Sequence, residues 1–109
     1  MQKTQQIGVT ISLCAEENIA EHTLVGVDGK MAAAGANAAG VCLMDTETCQ
    51  DMPVAISGAV LVKAGGLIAA GDDIAAGANG VAVKHTTGKV LGMSLNAATT
   101  NDLVKVILR

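Results

Sequence analysis

The 109-residue chain contains no Phe, Tyr or Trp, one proline, three cysteines and no run of basic residues. Each shortage excludes something. Without aromatic rings there are no stacking platforms for bases and none of the bulky walls that most small-molecule pockets use. With no Lys/Arg patch and a formal net charge of −3, the chain has nothing with which to neutralise a phosphate backbone, so no nucleic-acid partner is expected. No stretch approaches the roughly 18 consecutive apolar residues of a spanning helix, so no membrane is expected either. Met1-Gln2-Lys3-Thr4-Gln5-Gln6 lacks the apolar segment of a secretion signal. Cys14, Cys42 and Cys49 make neither a C-x-x-C pair nor an even framework, which predicts free thiols and synthesis in a reducing cytoplasm.

Half of the chain is hydrophobic and 13 residues are glycine. The core must therefore come from Val, Ile, Leu, Ala and Met on short strands joined by glycine turns. The length suits one domain. Alanine adds little transfer energy beside Leu or Phe, so part of the stability is expected from association with other chains.

Period-2 patterning dominates. In Ile7-Gly8-Val9-Thr10-Ile11-Ser12-Leu13 the odd positions are large aliphatics and the even ones small or polar, the pattern of a half-buried strand. Over 52–63 the same alternation places Val54, Ile56, Val60 and Val62 on one face, with Gly58 between them, and predicts one long bent strand. Residues 102–108 predict a last strand. Asp28-Gly29 predicts a two-residue hairpin, and Asn79-Gly80 and His85-Thr86-Thr87-Gly88 predict further turns. Ala15 to Glu21 makes one or two helical turns or, equally, a loop. The fold expected is all-β: a small single-domain β-barrel or β-clip-like (β-tulip-like) fold with short hairpins and little helix. An N-terminal arm, 1–6, precedes the single domain, 7–109.

A faint internal repeat is also present. Ile19 to Val25, a glycine turn and Ala39 to Asp45 are echoed by Ile68 to Ile74, a glycine turn and Leu91 to Asn96.

Candidate chemistry is sparse. Gly88-Lys89 ends like a phosphate loop, but Val83 and Val90 occupy the positions of its first glycine and its hydroxyl. Gly65-Gly66 matches no dinucleotide fingerprint. Cys42, Cys49, His22 and His85 lack metal-site spacing, so no metal is expected. Asp72-Asp73 reads as a turn held by an aspartate side chain. Lys30 follows a hairpin turn, as the modified lysine of lipoyl and biotinyl carrier domains does, although its flanking residues differ from theirs. No catalytic or cofactor-binding residue emerges, and no enzyme is expected. The alternatives that remain are a carrier domain modified at Lys30 and a free cytoplasmic ligand-binding β-domain.

The run Val54-Ala-Ile-Ser-Gly-Ala-Val-Leu-Val-Lys-Ala-Gly-Gly-Leu-Ile-Ala-Ala-Gly-Asp-Asp-Ile74 resembles the middle of the tailed-phage capsid decoration, or cement, proteins. Gly88 to Leu95, the closing Val104 to Leu108 and the hairpin Val25 to Lys30 follow the same rhythm. The resemblance implies a structural virion protein on the outer capsid surface. Such a protein cements adjacent major capsid protein subunits against internal DNA pressure, and the family often forms trimers. It also makes Gln2, Lys3, Thr4, Gln5 and Gln6 a candidate contact arm, pairing as an added strand either with a capsid edge or with a neighbouring copy. The loops at 34–40 and 64–73 are the secondary candidates.

Overall fold

The computed structural model describes residues 6–86 and 88–108. Two antiparallel sheets and a short 3-10 turn at Ala78–Gly80 make up their regular structure. The six-stranded sheet runs β1 (Gln6–Ile7), β6 (Gly58–Lys63), β10 (Leu103–Leu108), β9 (Gly92–Ser94), β7 (Asp73–Ala76), β8 (Ala82–Lys84). The four-stranded sheet runs β2 (Thr10–Cys14), β5 (Asp51–Ala55), β4 (Gly40–Cys42), β3 (Leu24–Val25). The protein is all-β, as expected, but both sheets stay open and neither closes into a barrel.

The strands expected over 7–13 and 52–63 are each broken midway. β1 and β6 belong to one sheet, β2 and β5 to the other. The register does not slip across the break: Gln6 opposes Ala59 and Ile7 opposes Gly58 on one side, Thr10 opposes Ala55 and Ile11 opposes Val54 on the other. At the corner the Gly8 N–H donates to Ser57 O (3.0 Å) and the Ile56 N–H to Val9 O (2.9 Å). The Val9 N–H donates to Ser57 Oγ at 2.9 Å. Gly58 adopts φ +97°, which an L side chain rarely tolerates, and this lets the ribbon turn. Sequence alternation follows pairing, and pairing is continuous here, so periodicity alone reads one strand where the backbone changes sheets.

The internal repeat is present down to its hydrogen bonds. Ile11 opposite Val54 has its counterpart in Val60 opposite Val106. Cys42 opposite Val54 matches Ser94 opposite Val106, and Leu24 opposite Val41 matches Asp73 opposite Met93. Ile19 and Thr46 exchange backbone bonds, as do Ile68 and Ala98. The Cys49 N–H donates to Ala15 O just as the Asn101 N–H donates to Ala64 O, and both donors sit in the left-handed region, at φ +73° and +71°. The second copy's hairpin is longer and carries the 3-10 turn.

Each repeat buries its own aliphatics. Ile19, Val25, Met52 and Val54 lie in the smaller cluster, and their counterparts Ile68, Ile74, Val104 and Val106 in the larger. Leu24, Val41 and Ala55 from the first repeat join the larger cluster and so tie the two sheets together. Each buried Ile, Leu or Val contributes about 1.5–3 kcal/mol.

One local expectation is corrected, and at residues 15–21 the loop alternative is the one found. The Asp28-Gly29 hairpin closes by Gly26 N–H to Lys30 O (2.9 Å), with Gly29 N–H to Gly26 O (3.1 Å) inside it. Its loop thus has three residues and ends on a left-handed glycine (φ +80°), because Asp28 does not take the positive φ that a two-residue turn demands. Residues 15–21 form no helix; there Ile19 makes an isolated bridge to Thr46. β1 and β10 flank β6 at the same two positions: Gln6 and Ile107 both oppose Ala59, and Ile7 and Leu108 both oppose Gly58.

Candidate docking surface

Of the arm expected to make contact, Gln2, Lys3, Thr4 and Gln5 lie outside the described residues, and Gln6 belongs to β1. The structure brings forward the strand that follows. β2 ends the four-stranded sheet, pairing with β5 alone. Ser12 opposes Pro53, which has no N–H to give. That pair is therefore a non-hydrogen-bonded one, and the N–H and C=O of Ser12, like those of Thr10 and Cys14, point away from β5. The edge is open from Thr10 to Leu13; at Cys14 it is covered, because Gly29 lies against the Cys14 carbonyl and its own carbonyl accepts the Glu16 N–H (3.0 Å).

The row read in the sequence as a core face is not covered. Val9 is 53% exposed and Ile11 36%, and Leu13 is half-buried. In the second repeat the equivalents of Ile11 and Leu13, Val60 and Val62, are fully buried. β6 has β10 on one side and β1 on the other. It also receives His22, whose O accepts the Lys63 N–H (3.0 Å) and whose Nδ1 lies 3.1 Å from Leu61 O. The fold thus covers one copy of this strand and leaves its twin open over Thr10 to Leu13. Strand alternation could not reveal this, since an edge and a centre share the same pattern.

Electrostatics separate the twins as well. Glu16, Glu17, Glu21, Asp45, Glu47 and Asp51 gather on the loops at the β2–β5 end. Their structural counterparts are Gly65, Gly66, Ala70, Ala97, Thr99 and Leu103, all uncharged. Two of these acids close local backbone bonds. Glu17 accepts the Met31 N–H (2.9 Å) and Asp45 the Glu21 N–H (2.8 Å). Glu16 and Asp51 are exposed and meet no cation among the described residues. An open groove of about 450 Å³ runs through this region between Asn18, Asp45, Glu47 and Gln50.

The other sequence candidates are dispersed. Cys14 and Cys49 are exposed and Cys42 is buried, all as free thiols; Cys42 Sγ donates to Met44 O (2.8 Å). His22 lies 3.6 Å from the Glu21 carboxylate, whereas His85 Nε2 meets Gly88 O (2.9 Å). Among the described residues no three His, Cys, Asp or Glu side chains converge as a metal-holding group, and no helix is long and apolar enough to cross a membrane. Asp72 closes its turn as expected, its carboxylate accepting the Ala69 N–H (2.9 Å). Lys30 is exposed just beyond its hairpin, its N–H on Asp28 Oδ1 (3.2 Å). The 34–40 loop packs toward the second repeat through Gly35 N–H to Ala76 O (2.9 Å). In 64–73, Leu67 stands 78% exposed.

The family model described as phage cement protein matches residues 2–109. A solved structure similar to this chain is that of the head fiber gp8.5 N base in bacteriophage phi29, with 23% identity, 93% of each chain covered and a TM-score of 0.79; at that identity the likeness is one of fold. Among curated proteins none matches the sequence.

Proposed function

The chain belongs to the phage cement proteins, and from that premise we propose that it binds the outer surface of a phage head and clamps neighbouring major capsid protein subunits together. It does so as a homotrimer and without an active site. The observation that best supports this reading, beyond the family itself, is the uncovered β2 edge with its exposed apolar row. An exposed edge of this kind is a liability unless a partner covers it.

The mechanism needs contact area, not chemistry. DNA pressure separates capsid subunits, and a protein that bonds to both sides of a seam opposes the separation. Pairing the arm Gln2 to Gln6 with a neighbouring strand adds a few backbone hydrogen bonds, each worth about 0.5–1.5 kcal/mol net. Repetition over many symmetric sites turns that modest gain into large total stabilisation. The family match favours neither the carrier reading at Lys30 nor a ligand-binding domain.

The test is to mix purified protein with expanded heads that lack it. Co-sedimentation at a fixed ratio to the capsid protein, with greater resistance of filled heads to heat, is the expected result. Heads that neither bind the protein nor gain stability would overturn the proposal.

A further inference from the structure

We propose that β2 is an acceptor edge. An extended segment of the capsid protein adds along Thr10 to Leu13 as an antiparallel strand, with aliphatic residues on alternate positions and a basic residue at its N-terminal end, toward Glu16 and Asp51. This rests on the capsid-binding reading and names the surface through which a second grip is made. An arm that donates a strand holds one subunit; a seam needs two.

Length singles out β2 among the edges. Of the other strands that end the sheets, β3 and β8 have two and three residues, and β8 finishes on Lys84, while β1 begins at the first described residue. Short strands and edge lysines are the usual protection against unwanted pairing. β2 has five residues and no charge, proline or glycine within it. Its aliphatic alternation is that of a strand meant to be covered, and its twin β6 shows the same register fully packed. Every ladder in both sheets is antiparallel, so an added strand continues the sheet most simply in that sense.

Charge decides the occupant. Glu16 follows the strand and Asp51 faces Cys14 across it, both exposed beside the end of the edge that Gly29 closes. In the twin repeat those positions are Gly65 and Leu103, so the shared fold forms without carboxylates there. Pairing β2 with β2 of a second copy, centred on Ser12, would bring these acids beside Gly8 to Thr10, where there is no cation to meet them. A capsid segment carrying Lys or Arg at its N-terminal end satisfies both the backbone groups and the carboxylates.

The experiment places a photo-crosslinking benzoylphenylalanine at Ser12 and irradiates the full-length protein bound to heads. The expected adduct is with the capsid protein and maps to one extended segment with a basic residue near its start. Ser12→Pro removes the outward N–H and should lower head affinity about tenfold or more while leaving circular dichroism and melting unchanged. Should the proline variant fold poorly, Ile11→Lys gives the same readout without touching the backbone. An adduct with another copy of the chain, or undiminished binding by both variants, overturns the inference while leaving capsid binding intact. Failure of the unsubstituted protein to bind heads overturns both.

Discussion

Gly8 and Ser57 occupy equivalent places in the two repeats and face each other at the corner, the Gly8 N–H on Ser57 O at 3.0 Å. An added Cβ at Gly8 would stand 2.5 Å from Ser57 Oγ, the atom that accepts the Val9 N–H. Gly8→Ala should therefore push the hydroxyl aside and destabilise the protein by about 1–2 kcal/mol, close to the worth of the lost bond. Combining it with Ser57→Ala should cost less than the sum of the single changes, because both remove the same bond. A double-mutant cycle by urea unfolding reads this directly.

Gly40 and Gly92 are the paired glycines of β4 and β9. A methyl on either would run into a carbonyl of the adjacent strand, Ala55 O for Gly40 and Ile107 O for Gly92. Backbone cannot yield as a side chain does, so Gly40→Ala and Gly92→Ala should each cost about 3 kcal/mol or more, within the upper range for single substitutions. At Gly66 an added methyl would meet nothing within 4 Å. Gly66→Ala should be neutral or stabilise by about 0.4–1 kcal/mol. Thermal melts of the three variants distinguish these outcomes.

Ser94 is 1% exposed; its Oγ donates to Ala69 O (2.6 Å) and accepts the Asp72 N–H (3.1 Å). Ser94→Ala leaves these groups short of a partner and should cost about 1–3 kcal/mol. Ser94→Cys should cost less, since the twin residue Cys42 places a thiol in the same setting and finds a carbonyl. Denaturant midpoints check the order.

Thiol titration should count two reactive cysteines in the native protein, Cys14 and Cys49, and a third only after unfolding, when Cys42 is released. Three fast thiols would show that β4 is not packed as described.

How much of this was legible follows from what period-2 alternation encodes. It records which side chains share a face and which strands keep register. The β2 and β6 segments, the final strand, the Asp72 turn and the repeat pairing Ile19 with Ile68 and Cys42 with Ser94 were accordingly readable. Alternation does not record which sheet a strand belongs to, so the breaks at Gly8-Val9 and Ile56-Ser57 were hidden inside unbroken patterns. It also cannot tell a central strand from an edge, and Val9 and Ile11 therefore read as core. The acids of the first repeat carried a usable signal: aligning Glu16 with Gly65 and Asp51 with Leu103 shows positions where the shared fold forms without a carboxylate.

The flanking of β6 by β1 and β10 has a mechanical consequence. Both outer strands run the same way, antiparallel to β6, so the N-terminal end of β1 faces the Lys63 side and the C-terminal end of β10 the Ser57 side. Tension applied through these two strands therefore pulls in opposite directions along the strand axis. Antiparallel hydrogen bonds lie across that axis, so the load falls on the whole Leu103–Leu108 ladder at once instead of opening it one rung at a time. In the proposed capsid clamp, a load carried by these two strands would meet the sheet in shear, the direction in which a β-sheet yields least.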